Sequence, residues 1–120
     1  MSHMAGVDNK LILIAHRAIE ITHIDFGIPN TGGLRTEVEQ ALLYSQRKSK
    51  ADGVNNLSKH QTGKALDFFA YVDGKGSWTK EHLAEVACAF MQAAIELDIK
   101  IKSGMFFKSF SDYPHIQLEE

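Results

Sequence analysis

The sequence predicts an α+β fold in which a small antiparallel sheet packs with helices. Two stretches, 10–23 and 79–98, carry apolar residues at helical spacing. A third, from Thr36, opens with a helix-capping signature. Several short runs in between and towards the carboxyl end alternate apolar and polar residues, with turn residues closing them like hairpins. Helices and strands that mix without a regular βαβ alternation belong to the α+β class.

In chain order, MSHM reads as a cloning remnant and residues 1–7 as a disordered lead-in. Asp8 or Asn9 can cap a helix over Lys10–His23, with Leu11, Ile14, Ala15, Ala18, Ile19 and Thr22 on one stripe. His16 and His23 read as packing or capping histidines, since neither has a second ligand at metal spacing. DFGIPNTGGLR, Asp25–Arg35, is a brief strand running into a turn. Thr36 and Glu39 form a capping box that starts a helix to about Gln46, with Val38, Ala41, Leu42 and Ser45 as its buried stripe. RKSKADGVNN, 47–56, is a polar, turn-rich loop.

LDFFAYVDG, Leu66–Gly74, is rich in aromatic and branched residues and reads as a central strand ending in an Asp-Gly turn. Its two-residue period places Asp67, Phe69 and Tyr71 on one face and Leu66, Phe68, Ala70 and Val72 on the other. Thr79 caps the longest helix, whose apolar face is Leu83, Val86, Ala87, Phe90, Ala94 and Leu97. His82 falls in its first polar turn as a surface residue. Cys88, the one cysteine, sits in an apolar pattern as a buried thiol and excludes an internal disulfide. IKIK, MFF and HIQL follow as short strands.

Length and composition narrow the function. At 120 residues and 44% hydrophobic, the chain suits one packed domain, 1–120. A net charge of -2 with scattered basic residues gives no footprint for nucleic acid. No apolar run is long enough for a membrane span.

Chemistry concentrates in SKHQTGKALD, Ser58–Asp67, and DYPH, Asp112–His115. Imidazole and carboxylate are ligands for zinc, and a catalytic zinc site takes three of them and leaves one position open. His60, Asp67 and His115 can supply the three. Asp112, tied to His115 across Pro114, can act as the base for a water nucleophile. Residue type and spacing leave a second reading open, in which these are surface or core histidines and turn aspartates.

The pattern Ser58, His60, Gly63, Ala65, Asp67, followed by Asp112, Pro114 and His115, resembles the zinc D-alanyl-D-alanine carboxypeptidase family. Within it the likeness is greatest to bacteriophage L-alanyl-D-glutamate endolysins. GLRTEVEQALLY, Gly33–Tyr44, belongs to the same likeness. The resemblance implies a Hedgehog/D-Ala-D-Ala peptidase type of fold, one Zn2+ per chain on His60, Asp67 and His115, and Asp112 as general base acting through a metal-activated water. It implies Arg35 at the substrate carboxylate or developing oxyanion, with Gln40 as a polar partner and Ser58 in the metal loop. Where relatives carry a glycine- and tryptophan-containing segment, this chain has SGMFFKSFSD, so Phe106 or Phe107 is expected to form the substrate wall.

The expected activity is hydrolysis of the L-Ala–D-Glu bond in peptidoglycan stem peptides. Cleavage at D-Ala-D-Ala, or a non-catalytic zinc-stabilised wall-binding domain, are the alternatives. A monomer is expected, acting from the host cytoplasm on a thin wall after another protein permeabilises the membrane.

Overall fold

The computed structural model describes residues 3–46, 53, 58–108 and 111–119. The expected loop at 47–56 lies, except for Gly53, outside the described residues. Among the described residues are three α-helices, α1 (Asn9–Ile21), α2 (Glu37–Ser45) and α3 (Lys80–Glu96). Six strands accompany them: β1 (Asp25–Gly27), β2 (Ala65–Asp67), β3 (Phe69–Val72), β4 (Lys75–Ser77), β5 (Ile101–Ser103) and β6 (His115–Leu118). They form two antiparallel three-stranded sheets, β1-β3-β4 and β2-β6-β5.

The α+β class holds, with the strands divided between two sheets rather than gathered in one. LDFFAYVDG is accordingly not a single strand. It passes from β2 to β3 through Phe68, whose backbone N–H donates to Pro114 O at 3.0 Å. The two-residue alternation nevertheless survives the break: Leu66, Phe68 and Ala70 are fully buried, while Asp67 and Phe69 are half-buried and Tyr71 is exposed. Asp73 and Gly74 both take positive φ, 53° and 77°, the left-handed conformation of a two-residue turn whose twist suits a hairpin. β4 pairs back on β3 immediately after it.

Asp8 is the cap of α1, accepting from Lys10 N at 2.9 Å. Leu11, Ile14, Ala15 and Ala18 pack the helix against α3, which buries Leu83, Val86, Ala87, Phe90, Ala93 and Ala94. Phe90 reaches from α3 into the sheets: its ring stacks on Phe68 at 5.2 Å between centroids and tilts against Phe26 at 5.0 Å. The junction between the two sheets is therefore held by an aromatic triplet, the kind of contact that adds to simple area burial.

Five local expectations change. Met4 and Val7 are buried with the core, so residues 3–7 are packed rather than a loose lead-in. α2 has the expected capping box, Thr36 with Glu39, but Val38 is 79% exposed and Leu42 55%. Its one buried residue is Gln40, so α2 docks through a polar contact and not through an apolar stripe. Leu97 is exposed at the end of α3, and Cys88 is exposed because it is rotated by about 100° from Ala87 on the helix. MFF forms a 3-10 turn, Gly104–Phe106, in place of a strand, with Ser103 Oγ accepting from Met105 N.

Truncating Phe68→Ala removes a fully buried ring at this junction. Urea unfolding is expected to show a loss of about 3–5 kcal/mol, and Phe68→Leu a clearly smaller one.

Candidate metal centre and active site

Backbone pairing brings the two chemical segments together. In the register of β2 and β6, Asp67 stands directly opposite His115. His60 comes from the 3-10 turn Lys59–Thr62, which Ser58 caps by accepting from His60 N at 3.2 Å while Gln61 reaches back to Ser58 N. Ser58 thus orders the loop that carries the first imidazole.

His60, Asp67 and His115 form the one group of metal-binding side chains found among the described residues, their ligand atoms within 4.8 Å of one another. His60 Nε2 lies 3.2 Å and His115 Nδ1 3.1 Å from the same oxygen, Asp67 Oδ1. The far nitrogen of each ring has an acceptor. His60 Nδ1 meets Gly33 O at 3.0 Å, and His115 Nε2 meets Gln117 Oε1 at 2.8 Å. Each acceptor suits N–H on the far nitrogen, so that the near nitrogen can present its lone pair to a cation; in the metal-free protein His115 Nδ1 can instead carry a proton and donate to Asp67 Oδ1 at 3.1 Å.

Two imidazole lone pairs and one carboxylate oxygen then face a common point. His60 Nε2 is buried there without a hydrogen bond, since its approach to Asp67 lacks the alignment one requires. A buried acceptor set of this kind needs a cation, and the donors suit a borderline divalent ion. The residues present therefore fit a metal.

Asp67 Oδ2 is occupied by Arg35 Nη2 at 2.8 Å, which leaves Oδ1 for the centre. Arg35 also donates through Nε to Thr31 O at 2.7 Å and through Nη1 to Gln40 Oε1 at 3.1 Å, and its side chain is only 9% exposed. Its fork is turned inward on Asp67. Gln40 is completely buried behind it. Gly32 O accepts from Asp67 N at 2.7 Å, and His60 O accepts from Arg35 N at 3.0 Å. The Thr31–Arg35 segment thus threads past two of the three ligands.

Asp112 stands beside the group, with a 35% exposed side chain and Oδ2 3.9 Å from His115 Nδ1. Its carbonyl crosses β5's end so closely that a Cβ at Gly104 would fall 2.2 Å from Asp112 O. Only glycine permits that approach. The Phe107 ring lies 5.6 Å from that of His115, whereas Phe106 projects into solvent, 63% exposed. His16 and His23 are exposed, and His82 is half-buried against Ser77 Oγ at 2.7 Å, all away from this group.

Burial alone would raise the Asp67 pKa, but contact with His115 and His60 outweighs it and holds the carboxyl well below its usual range. Burial works against protonation of His115, yet the hydrogen bond and charge of Asp67 push its pKa above the ordinary value. Asp112 is raised, first by burial and then by the charge of Asp67.

Comparison with known proteins shows the family and the fold. The family model described as phage L-alanyl-D-glutamate peptidase matches residues 1–119. The chain belongs to this family. It is 36% identical over 111 residues to the L-alanyl-D-glutamate peptidase of Escherichia phage T5, covering 92% of this chain and 79% of the relative. The crystal structure of the Serratia marcescens L-Ala D-Glu endopeptidase ChiX superposes with a TM-score of 0.86 at 29% identity, covering 98% of this chain and 84% of that one.

Sequence reasoning did not find Gly33, Gln117 or Gly104 as parts of the site. A backbone carbonyl has no residue-type signal, and Gln117 becomes visible only through the alternation of β6, which returns it to the face of His115.

The metal-free protein is expected to lose stability on both sides of a window. The Asp67 contribution is present above its ordinary pKa of 3.8 and falls away as pH drops below it. The His115 contribution is complete below its ordinary 6.5 and falls away as pH rises through the raised folded value. Thermal unfolding of chelator-treated protein against pH should show both limbs, and Asp67→Asn should flatten them.

Proposed function

We propose that the chain is a zinc-dependent peptidoglycan peptidase that hydrolyses the L-Ala–D-Glu bond of the murein stem peptide. The observation that carries this reading is the convergence of His60 Nε2, His115 Nδ1 and Asp67 Oδ1, each far ring nitrogen already tied to an acceptor. Family membership supports the scissile bond, since the phage T5 and Serratia marcescens relatives are an L-alanyl-D-glutamate peptidase and an L-Ala D-Glu endopeptidase.

His60, Asp67 and His115 would hold the zinc, which when bound would supply Lewis acidity for the scissile carbonyl and for a water nucleophile near neutral pH. Gly33 O and Gln117 Oε1 keep each imidazole in the tautomer that presents its lone pair. Asp112 accepts the proton of the attacking water on its carboxylate and passes it to the departing amine. Its place beside His115 and partly in solvent suits both transfers. Phe107 forms the apolar wall next to His115.

For Arg35 the geometry favours positioning: it holds Asp67 Oδ2, backed by Gln40, and so fixes which carboxylate oxygen faces the metal. Ser58 plays the corresponding part for His60. One ion per chain, a monomeric protein and action on the wall from the host cytoplasm after membrane permeabilisation complete the proposal. Among the described residues no helix is long and apolar enough to cross a membrane.

Digestion of purified muropeptides, with new termini identified by mass spectrometry, is expected to yield fragments with a D-Glu amino terminus. Release of free D-alanine without that terminus would overturn the choice of bond. Asp112→Asn should remain folded and bind zinc while turnover falls by about 10²–10⁴; a fully active variant would remove Asp112 as the base. Arg35→Ala should weaken zinc binding by about 10–100-fold in competition with a chelator, with Arg35→Lys restoring part of it.

A further inference from the structure

The outer face of the β1-β3-β4 sheet carries aromatic rings that neither the core nor the metal centre uses. Pairing places Gly27 opposite Phe69, and Tyr71 between Asp25 and Gly76. Continuing the β3–β4 register by one step sets Trp78 opposite Phe69. The Phe69 ring lies 4.8 Å from Tyr71 and 5.9 Å from Trp78, the latter pair only 30° from parallel. Tyr71 is 41% and Trp78 57% exposed.

The glycines let these rings lie low on the sheet. A Cβ at Gly27 would sit 3.1 Å from the Phe69 ring and 3.2 Å from the Tyr71 ring, and one at Gly76 3.5 Å from Phe69. The result is a broad aromatic surface, with Asp25 paired across from Tyr71. Exposed apolar patches of this kind mark interaction sites.

Its position gives the occupant. Asp67, Phe69 and Tyr71 alternate on the side of the chain opposite Leu66, Phe68 and Ala70, which are buried. Phe69 therefore follows Asp67 by two residues on the same side, across the step from β2 to β3, which puts it within a chain reach of about 7 Å, and Tyr71 within about 14 Å. Resting on the peptidase reading, the substrate has a matching layout. In murein the amino group of the stem L-Ala is joined to the lactyl group of muramic acid, so a sugar lies only about 7 Å from the scissile bond.

We propose that Phe69, Tyr71 and Trp78 form a platform for the glycan strand, stacking against the apolar faces of its N-acetylated amino sugars while the stem peptide enters the metal centre. Aromatic rings offer large, rigid contact area with little entropy to lose, which suits a flat pyranose face.

Trp78 is the only tryptophan, so its fluorescence reports directly on the platform. Titration with a peptide-free disaccharide of N-acetylglucosamine and N-acetylmuramic acid is expected to give a saturable change that Tyr71→Ala weakens. An unchanged signal would overturn the proposal, whatever the catalytic result. In turnover, Trp78→Ala and Tyr71→Ala should lower kcat/KM about tenfold on a disaccharide-peptide, chiefly through KM. On the same peptide bearing N-acetyl-L-Ala in place of the sugar they should have little effect. Equal losses on both substrates, or none on either, count against it. Trp78→Leu and Tyr71→Leu keep apolar packing without a flat ring and should behave as the alanine variants do if those fold poorly. Wild-type protein that cleaves neither substrate would sink the peptidase reading, while the fluorescence titration would still decide on the platform.

Discussion

The structure depends on holding one carboxylate oxygen, Asp67 Oδ1, between two imidazole nitrogens, His60 Nε2 and His115 Nδ1. Three acceptors facing one point repel each other unless a cation, or in the metal-free protein a proton on His115, joins them, and removing them from water makes that need greater. The surrounding contacts remove alternatives to that arrangement. Gly33 O and Gln117 Oε1 fix the ring tautomers, and Arg35 takes the other oxygen of Asp67. What remains is a group of three side chains that could hold a metal ion, with the partly exposed Asp112 beside it.

The fold serves this arrangement through short-range pairing more than through bulk. β2 and β6 are only three and four residues long, yet their register alone sets Asp67 against His115. Phe68, next in sequence, turns the opposite way into the Phe26 and Phe90 rings. A member of the candidate metal group and a core anchor on adjacent residues couple the site's geometry to core packing, because the chain cannot shift one without shifting the other. Beyond Phe68 the same alternation carries the chain from the metal ligand to the exposed aromatic face.

Much of this was legible in the sequence where a residue type has one strong physical use. The capping box at Thr36 and the apolar stripes of α1 and α3 are of that kind; residue type alone left His60, Asp67 and His115 open to a bland reading, and the family motif singled out the three that the fold brings together. The misreadings share a cause: periodicity reports which residues lie on one face, not whether another element covers that face. α2 presents Val38 and Leu42 to solvent and buries Gln40 because its tie to the fold is the Arg35 network. LDFFAYVDG reads as one strand since nothing local marks the change of sheet at Phe68. The inward turn of Arg35 likewise depends on Asp67, thirty-two residues away.

The most direct measurement is an anomalous-difference map at the zinc edge from crystals of the protein grown with one equivalent of zinc. The account predicts a single strong peak about 2.0–2.2 Å from His60 Nε2, His115 Nδ1 and one oxygen of Asp67, with Arg35 still on the other oxygen. No peak at this point, or one that takes Nε2 of His115 or leaves His60 unbound, would contradict it.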